Sequence, residues 1–425
     1  MIWGFLSDTY GRKRLLVIGY LLDAFFALIA GLTQTFPMLL FAKFMGGFII
    51  NGPFAVLTTI LSEFHCARYR ARVVLFMGII FSTANVLLPL ISWALLPNPI
   101  ELKFFDGAFV MHTWNFYLLL GGLPSLISGI CHMFLPESPK FLMTAGRNEE
   151  AMAVFQKVYS MNTGNPPETY PVKALIEETA NGVETNRLQA FKNGFTHMKP
   201  LFLKPHLPRI ILVCAIQFGT MLGLNTLRLW LPQLFTAMAD YETLHPSQEA
   251  SICEMLDMVK PNVTETGMGE CFVNYNMDSV YINAIIVASV SILGYSFVGN
   301  LLTVLGKKRV LIMLGFICGV LGISIYFAQN SPAMISMSSI MIALAGINTN
   351  VILTVIVDLF PTSLRTMAVA LSMMTGRLGA MVGNAIFPHL ISVGCLPPFL
   401  FIGLGTLSSA VLGFLLPKTD MKPLE

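Results

Sequence analysis

The sequence predicts an all-α, polytopic membrane protein, and three observations predict it. Hydrophobic residues make up 55% of the 425-residue chain and charged residues only 12%, about half the charged share of a soluble domain. Ten apolar segments are long enough to cross a bilayer, which takes about 20 residues each, and mean hydropathy is +0.70. A pattern near the N-terminus also returns 295 positions later. Gly4-Phe5-Leu6-Ser7-Asp8-Thr9-Tyr10-Gly11-Arg12-Lys13-Arg14 aligns with Gly299-Asn300-Leu301-Leu302-Thr303-Val304-Leu305-Gly306-Lys307-Lys308-Arg309, and Glu63 with Arg70 aligns with Asp358 with Arg365. Two signals at one offset indicate two related halves.

In order, the spans are Leu15–Leu32, Phe36–Leu61, Val73–Leu96 and Phe116–Leu135 in the first half. Ile210–Phe235, Val280–Val304, Val310–Gln329, Met334–Val357, Ala368–Val393 and Phe399–Leu416 follow in the second. Met1–Ser7 reads as the cytoplasmic end of a further span. The first half is then two spans short, and the chain reads as truncated at its start.

Lys and Arg fix the orientation. Of 26 basic residues, only Lys103 and Lys260 lie on one side, and Lys43, Arg228 and Arg377 lie within spans. All the others share the opposite side, which is cytoplasmic by the positive-inside rule. The net charge of +3 is too small and too dispersed for nucleic-acid binding. The loop at about 237–278 is assigned to the lumen or exterior. It carries the sequon Asn262-Val263-Thr264, a glycosylation candidate. It also holds Cys253 and Cys271, a candidate disulfide in an oxidising compartment. The segment 136–207 is a cytoplasmic linker. Ala151, Val154, Phe155 and Val158 recur there at helical spacing, which predicts short helices at the cytoplasmic mouth. The boundaries read from sequence are therefore 1–135, 136–207 and 208–425.

The Gly4-to-Arg14 motif resembles the loop between the second and third helices of the major facilitator superfamily. Asp358-Leu359-Phe360-Pro361-Thr362-Ser363-Leu364-Arg365 resembles the end of its tenth helix, and Leu416-Pro417-Lys418-Thr419 the end of its twelfth. Pro136-Glu137-Ser138-Pro139-Lys140-Phe141-Leu142 is similar to the stretch after the sixth helix of sugar porters. Gly146 to Asn162, followed by Pro167-Glu168, looks like the synaptic vesicle glycoprotein 2 family. The loop at 237–278 is much shorter than the luminal domain of those glycoproteins. The resemblance implies two six-helix bundles, of which this chain holds helices three to twelve and the end of helix two.

A cytoplasmic gate is expected at Asp8, Gly11, Arg12, Glu63, Arg70, Asp358 and Arg365, where carboxylates beside cations latch the bundles in one state and release them in another. Ordinary surface ion pairs are the alternative. Thr303 stands where the second copy would repeat Asp8, so the latch is expected to be asymmetric. Ionisable residues within spans are functional candidates because lipid burial is costly. Arg377 is about 16 Å deep and Asp23 about 13 Å at 1.5 Å per residue. Arg377 suits an organic anion or is neutralised by Asp23. Asn384 shares the Arg377 face. Lys43 and Arg228 read as snorkelling side chains, although Lys43-Phe44-Met45-Gly46 is similar to the superfamily's Arg-Phe-X-X-Gly pattern. Asn225, Asn348, Asn350, Ser82 and Asn85 either line a polar path or bond a neighbouring helix. Gly223-Leu224-Asn225 resembles the sugar porters' Gly-Ile-Asn, but Gly219 and Thr220 stand where those proteins carry glutamines, which weakens a hexose reading.

The sequence holds no phosphate loop, metal cluster or nucleophile–base set. The reading is a non-enzyme without cofactor or ATP use, in the plasma membrane or a vesicle. It moves a small organic, charged solute by alternating access, with a proton or other coupling ion. The alternatives are a non-transporting regulatory membrane protein and an inactive truncated isoform.

Overall fold

The computed structural model describes residue 6 and residues 10–65, 67–107, 109–175, 199–245, 251–259, 278–360 and 362–417. Asp8, Asn262 and Cys271 lie outside these residues, as do the side chains of Arg70, Thr303 and Arg365.

Every predicted span coincides with one helix, and five of the ten run past its C-terminal end by one to five residues. α1 (Arg12–Gly31), α2 (Phe36–Phe64), α3 (Ala67–Leu95) and α4 (Thr113–Phe134) come first, then two short helices, α5 (Pro139–Thr144) and α6 (Asn148–Thr163). α7 (His206–Leu244) is followed by the short α8 (Ile252–Val259). α9 (Asp278–Leu305), α10 (Lys307–Ser324), α11 (Ser331–Leu359), α12 (Thr362–Val393) and α13 (Leu396–Phe414) complete the described chain. Eight of these helices are long and apolar enough to cross a membrane on the described residues alone. α12 is not among them; Arg377, Asn384 and His389 dilute its apolar run. A β-hairpin of β1 (Glu101–Phe104) and β2 (Phe109–His112) was not anticipated. It turns through Asp106 and Gly107, both at positive φ. Gln34 docks it by donating to the Val110 carbonyl (2.9 Å) and accepting from the Val110 N–H.

The chain forms two compact units, 1–77 with 94–193 and 78–93 with 194–425. The second half of α3 therefore belongs with the later helices, a division that the boundaries 1–135, 136–207 and 208–425 do not reproduce. Two side-chain bonds inside the second unit account for it. Arg228 donates to Asn85, and the Trp93 indole N–H donates to Asp278 at 2.8 Å.

Glycine sets the helix spacing, as expected where lipid gives apolar side chains no reason to prefer one another. In the first unit a Cβ on Gly122 would lie 2.7 Å from Ala27 and one on Gly129 2.8 Å from Leu21, so α1 and α4 meet almost backbone to backbone. In the second unit α10 and α13 meet the same way, with Gly319 against Leu407 and Gly322 against Gly403. Each unit thus closes the helix that follows its basic turn onto its last long helix. In the linker, α5 and α6 form a small cluster of Phe141, Leu142 and Ala151, which matches the amphipathic spacing.

The disulfide expectation is corrected. Cys253 bonds Cys395 across 142 residues of sequence, not Cys271 in its own loop. Packing explains the choice. Ile252 and Met255 bury one face of α8 in the second unit, and the Ile252 N–H donates to the Ala328 carbonyl at 3.2 Å. α8 is thereby pinned beside the start of α13. Non-reducing peptide mapping is expected to recover a 253–395 linkage. Cys253→Ser should lower stability by about 2–4 kcal/mol, read as a fall in melting temperature; an unchanged melting temperature would contradict the bridge.

Candidate functional site

The ends of the two units that carry the repeated basic turns are built alike. Gly11 (φ 96°) precedes α1 and Gly306 (φ 81°) precedes α10. Both hold a backbone conformation that favours glycine, and both put a basic residue first in the helix that follows. Arg12 forms an ion pair with Glu63 of α2, and Lys307 pairs with Asp358 of α11 at 2.5 Å. Arg12 and Lys307 are repeat mates at the 295-residue offset, as are Glu63 and Asp358. The sequence reading grouped Glu63 with Arg70 and Asp358 with Arg365 along the chain. The structure joins each acid to the base that opens another helix; the side chains of Arg70 and Arg365 lie outside the described residues.

The two ion pairs differ in depth. The Arg12 and Glu63 side chains are 12% and 8% exposed, against 38% and 26% for Lys307 and Asp358. The first is also reinforced by a residue absent from the expected gate. One oxygen of Glu137 accepts from the N–H groups of Arg12 (3.1 Å), Lys13 (2.9 Å) and Ser138 (3.0 Å). This places a carboxylate on the positive end of the α1 dipole, where it is most favourable. A Cβ on Gly11 would lie 2.6 Å from the other Glu137 oxygen. Ser138 donates to Glu63 at 2.6 Å, so α1, α2 and the start of α5 share one network. The usable signal was the Pro-Glu-Ser-Pro stretch itself, read only as a family resemblance. The second unit uses the opposite chemistry: Lys308 donates to the free carbonyls of Phe414 (3.0 Å) and Leu416 at the end of α13.

Within the first unit, Asp23 accepts from Ser125 of α4 at 2.5 Å. Lys43 of α2 is its charged neighbour. A Cβ on Gly46 would lie 3.5 Å from Asp23, so the absent side chain leaves the carboxylate room beside α2. Lys43 is thus an electrostatic partner within the unit rather than merely a snorkelling side chain.

Within the second unit, a cavity of about 260 Å³ lies between α3, α7, α9 and α11. Arg228 lines it with Ser82, Asn85, Ser291 and Tyr295. Arg228 donates to the Asn85 amide oxygen, and Asn350 donates to the Tyr295 hydroxyl at 3.0 Å. Sequence reasoning set Arg228 aside as snorkelling, because only the fold shows that Asn85, 143 residues away, meets it.

Of the other path candidates, none lines this cavity. Asn225 donates back to the Met221 carbonyl of its own helix (3.1 Å). Asn348 and Asn384 each bury a side-chain oxygen without a partner among the described residues. Arg377 is exposed and makes no hydrogen bond or ion pair among those residues. Its neighbours Gly376, Gly379 and Gly383 press α12 against Gln217, Phe218 and Thr226 of α7.

Comparison with known proteins agrees with this architecture. Residues 1–253 match the family model described as sugar (and other) transporter, and residues 267–425 match that of the major facilitator superfamily. Synaptic vesicle glycoprotein 2B of Homo sapiens is 22% identical over 98% of this chain and 75% of its own length. The Rattus norvegicus protein of that name is 23% identical over 57% of this chain; that match spans only 38% of the relative's length. Among solved structures, the xylose transporter XylE from E. coli in a partially occluded inward-open conformation superposes with a TM-score of 0.65. It is 16% identical, and the superposition covers 100% of this chain and 86% of that one.

Proposed function

The chain belongs to the sugar (and other) transporter family within the major facilitator superfamily, and from that premise we propose that it is a secondary transporter moving a small organic, charged solute by alternating access. It is a multi-pass integral membrane protein. The observation that carries the proposal is the duplicated latch. Each unit has a glycine turn at positive φ, a base opening the next helix and an acid received from a second helix. Paired, independently latched units are the parts that a rocking mechanism requires. Each ion pair lies within one unit, so it holds that unit's helix ends together as a body that can rock as a whole. One solved structure of the same fold is a proton:xylose symporter, and we extend proton coupling to this chain as part of the proposal. In that role Asp23 is the proton site we assign, a carboxylate set within the first unit with Ser125 and Lys43 as its neighbours.

The test is counterflow. The purified native protein in liposomes preloaded with a panel of small organic acids, amines and sugars is expected to show saturable exchange of one class. Glu63→Gln should reduce that exchange at least several-fold. Absence of exchange for the whole panel, together with a stable cytoplasmic partner retained on residues 136–207, would replace this reading with a non-transporting regulatory protein.

A further inference from the structure

We infer that the cavity around Arg228 binds a short-chain monocarboxylate, with its carboxylate on the guanidinium and its hydrocarbon tail in the apolar part of the cavity. The inference rests on the transporter reading and narrows its substrate class.

Charge comes first. A guanidinium within a membrane-spanning wall is costly unless something answers it. Among the described residues no carboxylate lines the cavity; the contacts of Arg228 there are the neutral Asn85 and Tyr295. Of the acids on the flanking helices, Asp278, Asp358 and Glu242 are engaged by Trp93, Lys307 and Ser331, and Asp240 lies twelve residues along α7 from Arg228, about 18 Å at 1.5 Å per residue. The missing negative charge is therefore best supplied by a guest.

Hydrogen-bond capacity gives the same sign. Guanidinium carries five N–H donors and no acceptor, and Asn85 takes only part of that set. Tyr295 accepts from Asn350, which leaves its O–H hydrogen to donate elsewhere. The Asn85 amide is used on both sides, giving to Phe81 and receiving from Arg228. Ser291 donates to its own helix. What the cavity offers is chiefly donors, clustered at one end. A carboxylate, with acceptors only, meets them in the planar geometry that the arginine fork favours.

Shape and polarity then choose the tail. The rest of the wall is apolar, including Phe81, Leu88, Leu231, Phe235 and Ile342. A sugar needs polar partners around its whole rim, and this wall would leave most of its hydroxyls unpaired. A volume of about 260 Å³ equals that of about nine waters at ~30 Å³ each. A carboxylate with three to five further carbons fits within that space.

The test uses the purified native protein in nanodiscs, with radiolabelled butyrate as the probe and butyramide, xylose and chloride as competitors. Butyrate is expected to bind saturably. Butyramide, the same shape without charge, should compete roughly 10- to 100-fold less well, the cost of a lost charge-assisted bond. Arg228→Gln should abolish binding, and Arg228→Lys, which keeps the charge but loses the fork, should weaken it about tenfold. Equal competition by butyramide, or full competition by chloride at matched concentration, would overturn the inference. Because the competitor series needs no variant, misfolding of Arg228→Gln leaves the outcome decidable. Butyrate binding without exchange in liposomes would sink the transporter reading and keep the site. Exchange of another solute, insensitive to Arg228→Lys and without butyrate binding, would sink the site and keep the transporter.

Discussion

Glu63→Gln is expected to lower the stability of the protein by about 3 kcal/mol, the order found when one partner leaves a largely desolvated ion pair, whereas Asp358→Asn should cost under about 1 kcal/mol. The two acids are repeat mates with the same partner chemistry, so the difference isolates burial. Removing the Glu63 charge leaves the Arg12 guanidinium in a site where both side chains are at most 12% exposed. It also weakens the acceptor for Ser138 and with it one strand of the network that includes Glu137. The Lys307–Asp358 pair is more open to water, which screens it and compensates either partner when the other is lost. Thermal melts of the two variants in the same detergent measure the contrast. A further variant, Arg12→Met with Glu63→Leu, should recover most of the lost stability while leaving the latch unable to form. Equal losses at Glu63 and Asp358 would mean that burial does not distinguish the latches.

Gly379→Ala is expected to cost about 1–3 kcal/mol or more, the range for overpacking a filled interface. A methyl group there would run into the Phe218 carbonyl oxygen, with the Phe218 carbonyl carbon at 3.1 Å and Cα at 3.2 Å. These are backbone atoms of α7, so no side-chain rotation relieves the clash; α7 and α12 must separate. Gly121→Ala is the matched control. Nothing lies within 4 Å of its Cβ position, and the change should be neutral or slightly stabilising, since Ala is the better helix former by about 1 kcal/mol. Expression yield and melting temperature of the two variants decide the matter. A well-folded Gly379→Ala with an unchanged melt would show that the α7–α12 spacing is not set by this residue.

What could be read in advance follows from how local each signal is. Apolar runs are contiguous, so all the spans were legible, and their ends differ where a helix runs on past the apolar stretch, as α7 does from Ile210–Phe235 to His206–Leu244, or stops short of it. The β-hairpin has no such run; its register depends on Gln34, from another loop. Repetition at one offset made Arg12, Glu63, Lys307 and Asp358 visible as mates, but not which of them touch, because contact is between helices and the repeat is along the chain. Glu137 stayed hidden because its task, capping α1 from 125 residues away, leaves no spacing to read. Arg228 failed for the reason Asn85 explains. The disulfide failed because restricting the search to one loop ignored that folded loops meet. Asp8 and Asn262 carry the sequence expectation only.

The Cys253–Cys395 bridge makes the chain's insertion self-checking. Four long helices, α9 to α12, separate the two cysteines. Three of them meet the apolar criterion for a span on their own, and with α12 as the fourth crossing Cys395 returns to the side that Cys253 faces; one skipped or inverted helix would strand the two thiols in opposite compartments, only one of which oxidises them. The bond also cannot close until α12 has been made and its outer end delivered. A single covalent link thus records both that the second unit has been synthesised through α12 and that its topology has the right parity.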